Sequence, residues 1–291
     1  MPRTILITGC SDGGLGAALA LAFHKHGDRV LATARNPSKM AHLKSEGVET
    51  LAMDVLSDES LQTAAKEVAA LTNGSLDMLI NNAGAGYSMP LLDADMRELE
   101  KVFKLNVFSV MRTTQVFFPL LRNSKAGAVL VNHSSTACVA PIPMQGGYNA
   151  SKAAVAMLSE NLRLELDPFG IKVVDLRTGG VQSKFFDNTP QGRTAKLPEN
   201  TPYELSREQI ESIIHGNVGV AFMDTDVWAS SVVKDLNRSK PPVHIWRGSG
   251  ATKGWISTML PHGTFDGLLK KMGGLDVFAK KLREAEAKKT Q

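Results

Sequence analysis

The sequence predicts an α/β fold: a doubly wound, mostly parallel sheet of seven strands, with helices on both faces and a helical extension at the C-terminus. Two observations predict it. Short runs of β-branched and apolar residues alternate with longer stretches of helical period. The first of these runs also passes through a glycine-rich turn directly into an alanine-rich helix. Strands are expected at about 3–8, 29–34, 48–53, 77–81, 127–133, 171–177 and 242–247. Helices are expected at 15–26, with an alanine and leucine face, and at 57–71, opened by Ser57 with Ser60 nearby. Two more are expected at 95–122, until Pro119 disturbs it, and at 149–166. Pro190, Gly192, Pro198 and Pro202 break any period in 183–204, which reads as a loop over a site. Residues 1–250 form the expected catalytic unit, that loop included. Residues 251–291 form an amphipathic extension carrying Leu268, Leu269, Met272, Leu275, Phe278 and Leu282, split into two helices at Gly273-Gly274.

Composition narrows the function classes. With 43% hydrophobic and 6% aromatic residues in 291, the chain can bury a large core, which excludes disorder and fibrous architectures. No apolar run approaches the ~20 residues that span a bilayer, and strand character begins directly after Arg3, so a cytoplasmic protein is expected. Cys10 and Cys138 are the two cysteines, and the seven histidines show no ligand spacing; His24 and His26 would leave a helix on different faces. No metal site is expected. The net charge of +4 resides in residues 270–291, which hold seven Lys/Arg against three Asp/Glu. The basic character therefore belongs to a tail, and no nucleic-acid partner is expected.

The run Thr8-Gly9-Cys10-Ser11-Asp12-Gly13-Gly14-Leu15-Gly16 joins strand to helix. Glycines remove Cβ atoms, and a helix N-terminus presents unpaired N–H donors, so a phosphate can approach such a turn. A glycine cluster by itself is weak evidence, since a tight connection that binds nothing is the bland alternative. The end of the second strand discriminates further. Thr33-Ala34-Arg35-Asn36-Pro37-Ser38-Lys39 lacks the carboxylate that holds an NAD ribose, while Arg35 suits the 2′-phosphate of NADP(H), unless it is only a solvated loop cation.

Further motifs follow in order: Asp54-Val55 after the third strand, Asn81-Asn82-Ala83-Gly84 after the fourth, Asn106, Ser134-Ser135, and Tyr148-Asn149-Ala150-Ser151-Lys152. Together with the glycine turn they resemble the short-chain dehydrogenase/reductase family over roughly the first 185 residues and the strand near 245. The resemblance implies a Rossmann-type sheet, NADPH/NADP+ as cofactor and a homodimer or homotetramer. It implies that Gly9, Ser11, Gly14, Leu15 and Gly16 border the pyrophosphate and adenosine ribose, Asp54 and Val55 the adenine, and Asn82, Ala83 and Gly84 the ribose wall. Gly179, Val181 and Ser183 would follow the sixth strand beside the nicotinamide. Two departures stand out: the turn is longer and contains Asp12, expected to point outward or to cap the helix, and Thr178 replaces the usual proline. With Leu260-Pro261 and Asp266-Gly267-Leu268-Leu269, they resemble the fungal branch related to 1-acyldihydroxyacetone-phosphate reductase, which is also similar to reductases of fungal secondary metabolism.

Reducing a ketone needs a hydride on carbon and a proton on oxygen, and the cofactor supplies only the hydride. Tyr148 is the expected acid, with Lys152 one helical turn on as the cation that brings its pKa down. Lys152 would also hold the nicotinamide ribose, Ser135 would donate to the carbonyl oxygen, and Asn106 would hold a water leading to solvent. Ser134 and Cys138 read as structural, and His133 as an ordinary strand residue.

Met144, Phe185, Phe186, Leu197, Phe222 and Trp228 read either as an apolar pocket for a lipophilic or aromatic carbonyl substrate or as plain core. The tail reads as a helix docked on its own domain, as an interface or as a peripheral membrane contact. The leading expectation is an NADPH-dependent carbonyl reductase. A nicotinamide-using lyase or isomerase, or a non-catalytic redox sensor, are the alternatives.

Overall fold

Each short apolar run becomes a strand, within two residues of its expected limits. In the computed structural model, which describes residues 2–187, 194–217 and 221–289, the strands are β1 (Thr4–Thr8), β2 (Arg29–Ala34), β3 (Glu49–Ala52), β4 (Met78–Asn81), β5 (Val129–His133), β6 (Lys172–Thr178) and β7 (His244–Arg247). They pair in parallel throughout, in the order β3-β2-β1-β4-β5-β6-β7. The chain begins at the centre, winds outward to β3, then returns to lay down β4 to β7. This reversal opens a crevice between β1 and β4 at the carboxyl ends of the strands.

The helices are α1 (Leu15–His26), α2 (Ala41–Ser45), α3 (Asp58–Leu71), α4 (Met96–Phe103), α5 (Ser109–Arg122), α6 (Gly146–Glu165), α7 (Arg207–Ile214), α8 (Thr225–Leu236), α9 (Ala251–Ser257), α10 (Asp266–Met272) and α11 (Leu275–Lys289). Side chains alternate across the sheet. Ile5 and Ile7 join one core with Phe23 of α1 and Trp228 and Val232 of α8, while Leu6 joins the other with Leu61 of α3, Phe117 of α5 and Leu162 of α6. Trp228 is fully buried in the first core, which decides between the two readings of this residue in favour of core. Trp228, Val232 and Leu236 recur at helical spacing along the buried face of α8.

The helix expected over 95–122 is interrupted, though not at Pro119. A π turn at Lys104–Phe108 separates α4 from α5, and α5 runs through Pro119 to Arg122. Pro119 removes a bond to the carbonyl of Gln115, and both residues are exposed. The tail forms three helices rather than two. The α10–α11 break falls at Gly273-Gly274 as expected, and the end of the tail rests on its own chain. The Phe278 ring lies 5.3 Å from that of Tyr203, Lys281 donates to the Leu205 carbonyl at 2.9 Å, and Leu275 packs with the small core of Tyr87, Met89, Met144, Leu197 and Ile210. Among the described residues, no helix is long and apolar enough to cross a membrane.

Candidate active site

The crevice is built first by the turn after β1. Thr8 Oγ1 accepts from the backbone N–H groups of Asn82 (3.0 Å) and Ala83 (2.9 Å), and the Asn82 amide donates to the Thr8 and Gly9 carbonyls. Gly9 must be glycine: its φ is +73°, and an added Cβ would stand 2.8 Å from the Ala83 Cα. Gly14 opens α1 without a side-chain cap, and the first turn of α1 carries no acid. A diphosphate therefore fits the main chain of Ser11 to Gly16 by donor chemistry.

Asp12 does not cap α1. Its carboxylate turns toward α2 and accepts from the His42 N–H at 3.3 Å. Leu15 is half-buried against the first core, and Ser11 accepts the Gly14 N–H through its carbonyl. Arg35 is exposed at the end of β2, at the open side of the crevice. Asp54 accepts from the Leu56 N–H at 3.0 Å, and Val55 buries its side chain in the second core, leaving its main chain as the part able to face an adenine.

The second wall comes from β5 and α6. Ser135 leaves the end of β5; its hydroxyl donates to the Thr178 carbonyl at 3.1 Å and accepts the Ala137 N–H at 3.1 Å. Tyr148 and Lys152 share one face of α6, and both are buried. Met144, held at φ +65°, precedes the helix, and Gly147 lets its first turn close onto Leu99 and Tyr87. Burial pushes the Tyr148 hydroxyl up to about 12, and the Ser135 hydroxyl beside it draws it back only in part. Lys152 makes its hydrogen bond to the main chain in this arrangement. Its ammonium donates to the His133 carbonyl at 2.7 Å and stands 5.8 Å from the centre of the Tyr148 ring, while burial lowers its own pKa to about 8. The phenol is thus held as a proton donor across the neutral range.

His133 proves to be a hub rather than an ordinary strand residue. Asn82 spends both amide hydrogens on carbonyls, so its Oδ1 accepts from His133 Nδ1 at 2.9 Å. That fixes the tautomer: His133 Nε2 is the acceptor, and the Thr178 hydroxyl donates to it at 2.7 Å. The ring stacks on Trp228 at 5.6 Å, and burial with the nearby Lys152 charge drops its pKa to about 3. One neutral imidazole thereby ties the glycine turn to the residue standing where the family places proline. Ser134 instead donates to buried Asp175, which also holds Arg177 at 2.6 Å.

Asn106 lies in the π turn and is buried. Its amide donates to the Ala85 carbonyl (2.9 Å) and Ser151 Oγ (3.0 Å), and its Oδ1 accepts the Ala85 N–H (2.9 Å). It clamps the segment after Gly84 to α6. Its side chain is committed to that clamp.

After β6, Gly179 and Gly180 donate to the Arg247 and Ser249 carbonyls, and Val181 packs into the first core. Ser183 Oγ accepts the Phe185 N–H at 3.3 Å. The Phe185 ring meets Tyr148 edge-on at 5.1 Å and fills the space that glycine leaves at Gly86; Phe186 and Phe222 continue the aromatic row. Met144 and Leu197 sit in the small core behind this row. Pro190 and Gly192 of the expected loop lie outside the described residues. Pro198 and Pro202 lie within them, and the Pro198 carbonyl is held by Arg207 at 2.7 Å.

Comparison with known proteins agrees with this arrangement. The short chain dehydrogenase family model matches residues 3–194. A short-chain dehydrogenase/reductase of Pestalotiopsis microspora is 45% identical over 285 residues, covering 97% of this chain and 98% of its own. The NADPH-dependent 1-acyldihydroxyacetone phosphate reductase of Schizosaccharomyces pombe is 39% identical over 275 residues, covering 90% of this chain and 91% of its own. Among solved structures, a short-chain dehydrogenase from Streptomyces avermitilis superposes with a TM-score of 0.75 at 26% identity, covering 96% of this chain and 98% of that one. The chain is an oxidoreductase of the short-chain dehydrogenase family.

Proposed function

We propose that the protein is an NADPH-dependent reductase of a ketone on a lipophilic or aromatic substrate. The observation that carries this reading is the convergence of Ser135, Tyr148 and Lys152 at the carboxyl edge of the sheet, beside a glycine turn open to a diphosphate. A bound dihydronicotinamide supplies the hydride. Ser135 Oγ exchanges its bond to the Thr178 carbonyl for one to the substrate oxygen and orients that oxygen toward Tyr148. Tyr148 Oη, protonated at neutral pH because burial raises its pKa to about 12, gives its proton to the developing alkoxide. Lys152 holds the ribose side and compensates the phenolate left behind.

NADPH is favoured over NADH because β2 ends at exposed Arg35 with no carboxylate in the turn, and a relative named for NADPH dependence supports the same choice. The aromatic row from Phe185 to Phe222 excludes water from the phenol and offers flat apolar contacts, which suits a lipophilic ketone. Met157 and Leu164, each 64% exposed and seven residues apart on α6, give an apolar stripe for self-association into a dimer or tetramer.

The deciding measurement is stopped-flow absorbance of NADPH in single turnover against a panel of ketones and quinones, repeated with NADH. Loss of NADPH absorbance matched by alcohol formation is the expected result. Converted substrate with unchanged NADPH would instead point to a lyase or isomerase.

A further inference from the structure

Lys184 comes from the far side of the crevice, just beyond β6, yet its side chain lies across the turn after β1. Its Nζ donates to the Asp12 carbonyl at 3.0 Å. Its stem covers the bare face of Gly13, where φ is +78° and an added Cβ would stand 2.8 Å from the lysine Cε. The same turn carries an acid, an unfavourable neighbour for any phosphate. The Asp12 carboxylate is drawn off toward α2, with one oxygen on the His42 N–H and the other, Oδ1, buried without a hydrogen-bond partner. An ammonium thus stands at the turn, while the carboxylate of the same turn is engaged toward α2.

We propose that Lys184 is a diphosphate ligand for the bound dinucleotide, exchanging its bond to the Asp12 carbonyl for one to a phosphate oxygen and cancelling the Asp12 charge at the turn. The inference rests on the NADPH reading above. The physical reason is additive: the α1 N-terminus supplies neutral N–H donors and partial positive charge, and Lys184 supplies a full charge held close by the chain itself. A lysine stem packed on glycine can swing its head by one rotamer without moving the backbone. Arg35, at the end of β2, serves the other end of the nucleotide, so the two cations are separable by experiment.

The test titrates NADPH and adenosine 2′-monophosphate into the full-length protein, followed by NADPH fluorescence and by calorimetry, for wild type, Lys184→Gln, Lys184→Arg and Arg35→Gln. Lys184→Gln is expected to weaken NADPH about tenfold or more, with Lys184→Arg recovering most of it, since a hydrogen bond to a charged group is of that size. Adenosine 2′-monophosphate, which lacks the diphosphate, should bind wild type and Lys184→Gln alike and lose affinity only in Arg35→Gln. Equal NADPH affinity for Lys184→Gln and wild type overturns the role of Lys184 while leaving the cofactor reading intact. Failure of wild type itself to bind NADPH overturns that reading first. Thermal melts of Lys184→Gln at the wild-type temperature confirm that the loss is not one of folding.

Discussion

The wall made by β5 and α6 differs sharply from the segment 184–187 that faces it. In the first, polar groups are buried and committed: Lys152 to a carbonyl, Ser135 to Thr178, His133 to two partners, with Asn106 of the adjoining π turn bonded to Ala85 and Ser151. In the second, Phe185 and Phe186 are half-exposed, Lys184 is exposed, and contact is made by ring edges and one long cation. A buried polar network has few alternative arrangements, because every unmade bond costs about 1–3 kcal/mol, whereas ring-edge contacts of about 0.5–1.5 kcal/mol can be exchanged. The difference teaches that the reacting groups are set by the rigid wall and that substrate choice is left to the compliant one.

Substitutions on the two walls should therefore behave differently. The largest effect belongs to Tyr148→Phe, which should lower kcat by about 10²- to 10⁴-fold while nucleotide affinity measured by fluorescence stays near wild type. A fully active variant removes the phenol from the chemistry. Next comes Gly9→Ala, which forces a side chain into a left-handed backbone against Ala83. About 1–3 kcal/mol of stability should be lost, read as a drop of several degrees in Tm, together with weaker NADPH binding.

The His133 hub predicts a pH dependence with a definite sign. In the folded protein its pKa is held at about 3, against 6.5 for the ordinary group. As pH falls below about 6.5 the unfolded chain takes up a proton that the folded chain refuses. The stability that this histidine contributes is complete above that pH and is lost toward pH 3, by at most about 1.4 kcal/mol per pH unit. Asp28, Glu49 and Glu160 also lose stability on acidification, since partners hold their pKa values down. The informative quantity is therefore the difference in slope between wild type and His133→Gln in chemical denaturation from pH 6.5 to 4.5. Identical slopes would break the claim that the rigid wall depends on a neutral imidazole. The smallest effect should come from Phe185→Ala: under about 1 kcal/mol in stability and little change in kcat, but a KM shift that depends on ketone bulk. A collapse of kcat there would mean that the compliant wall also sets the chemistry.

What the sequence revealed follows the same division. Strand positions were legible because apolar runs buried on both faces declare themselves, and β1 to β7 lie within two residues of expectation. Ser135, Tyr148 and Lys152 were legible as neighbours because strand ends and helical spacing fix where side chains go. The direction of the phenol's pKa was not, since it depends on how completely Tyr148 is buried and on which oxygen Lys152 chooses, and neither is encoded locally. Trp228 stayed open between pocket and core for a related reason: an aromatic near a loop suits either until the helix that carries it is known to face the sheet. Asp12 found its partner in α2, thirty residues away, and Lys184 crosses the crevice to reach the turn. Such long-range choices are made by packing.

The π turn at Lys104–Phe108 has a consequence for how the chain can vary. Such a turn is equivalent to one residue inserted into a regular helix, and removing that residue restores the register of both flanks. Deleting a single codon within 104–108 should therefore leave the helices before and after it seated as they are, while withdrawing the amide that grips Ala85 and Ser151. This stretch is a place where a length change costs function and spares the fold, the reverse of what a deletion in the middle of a helix normally does.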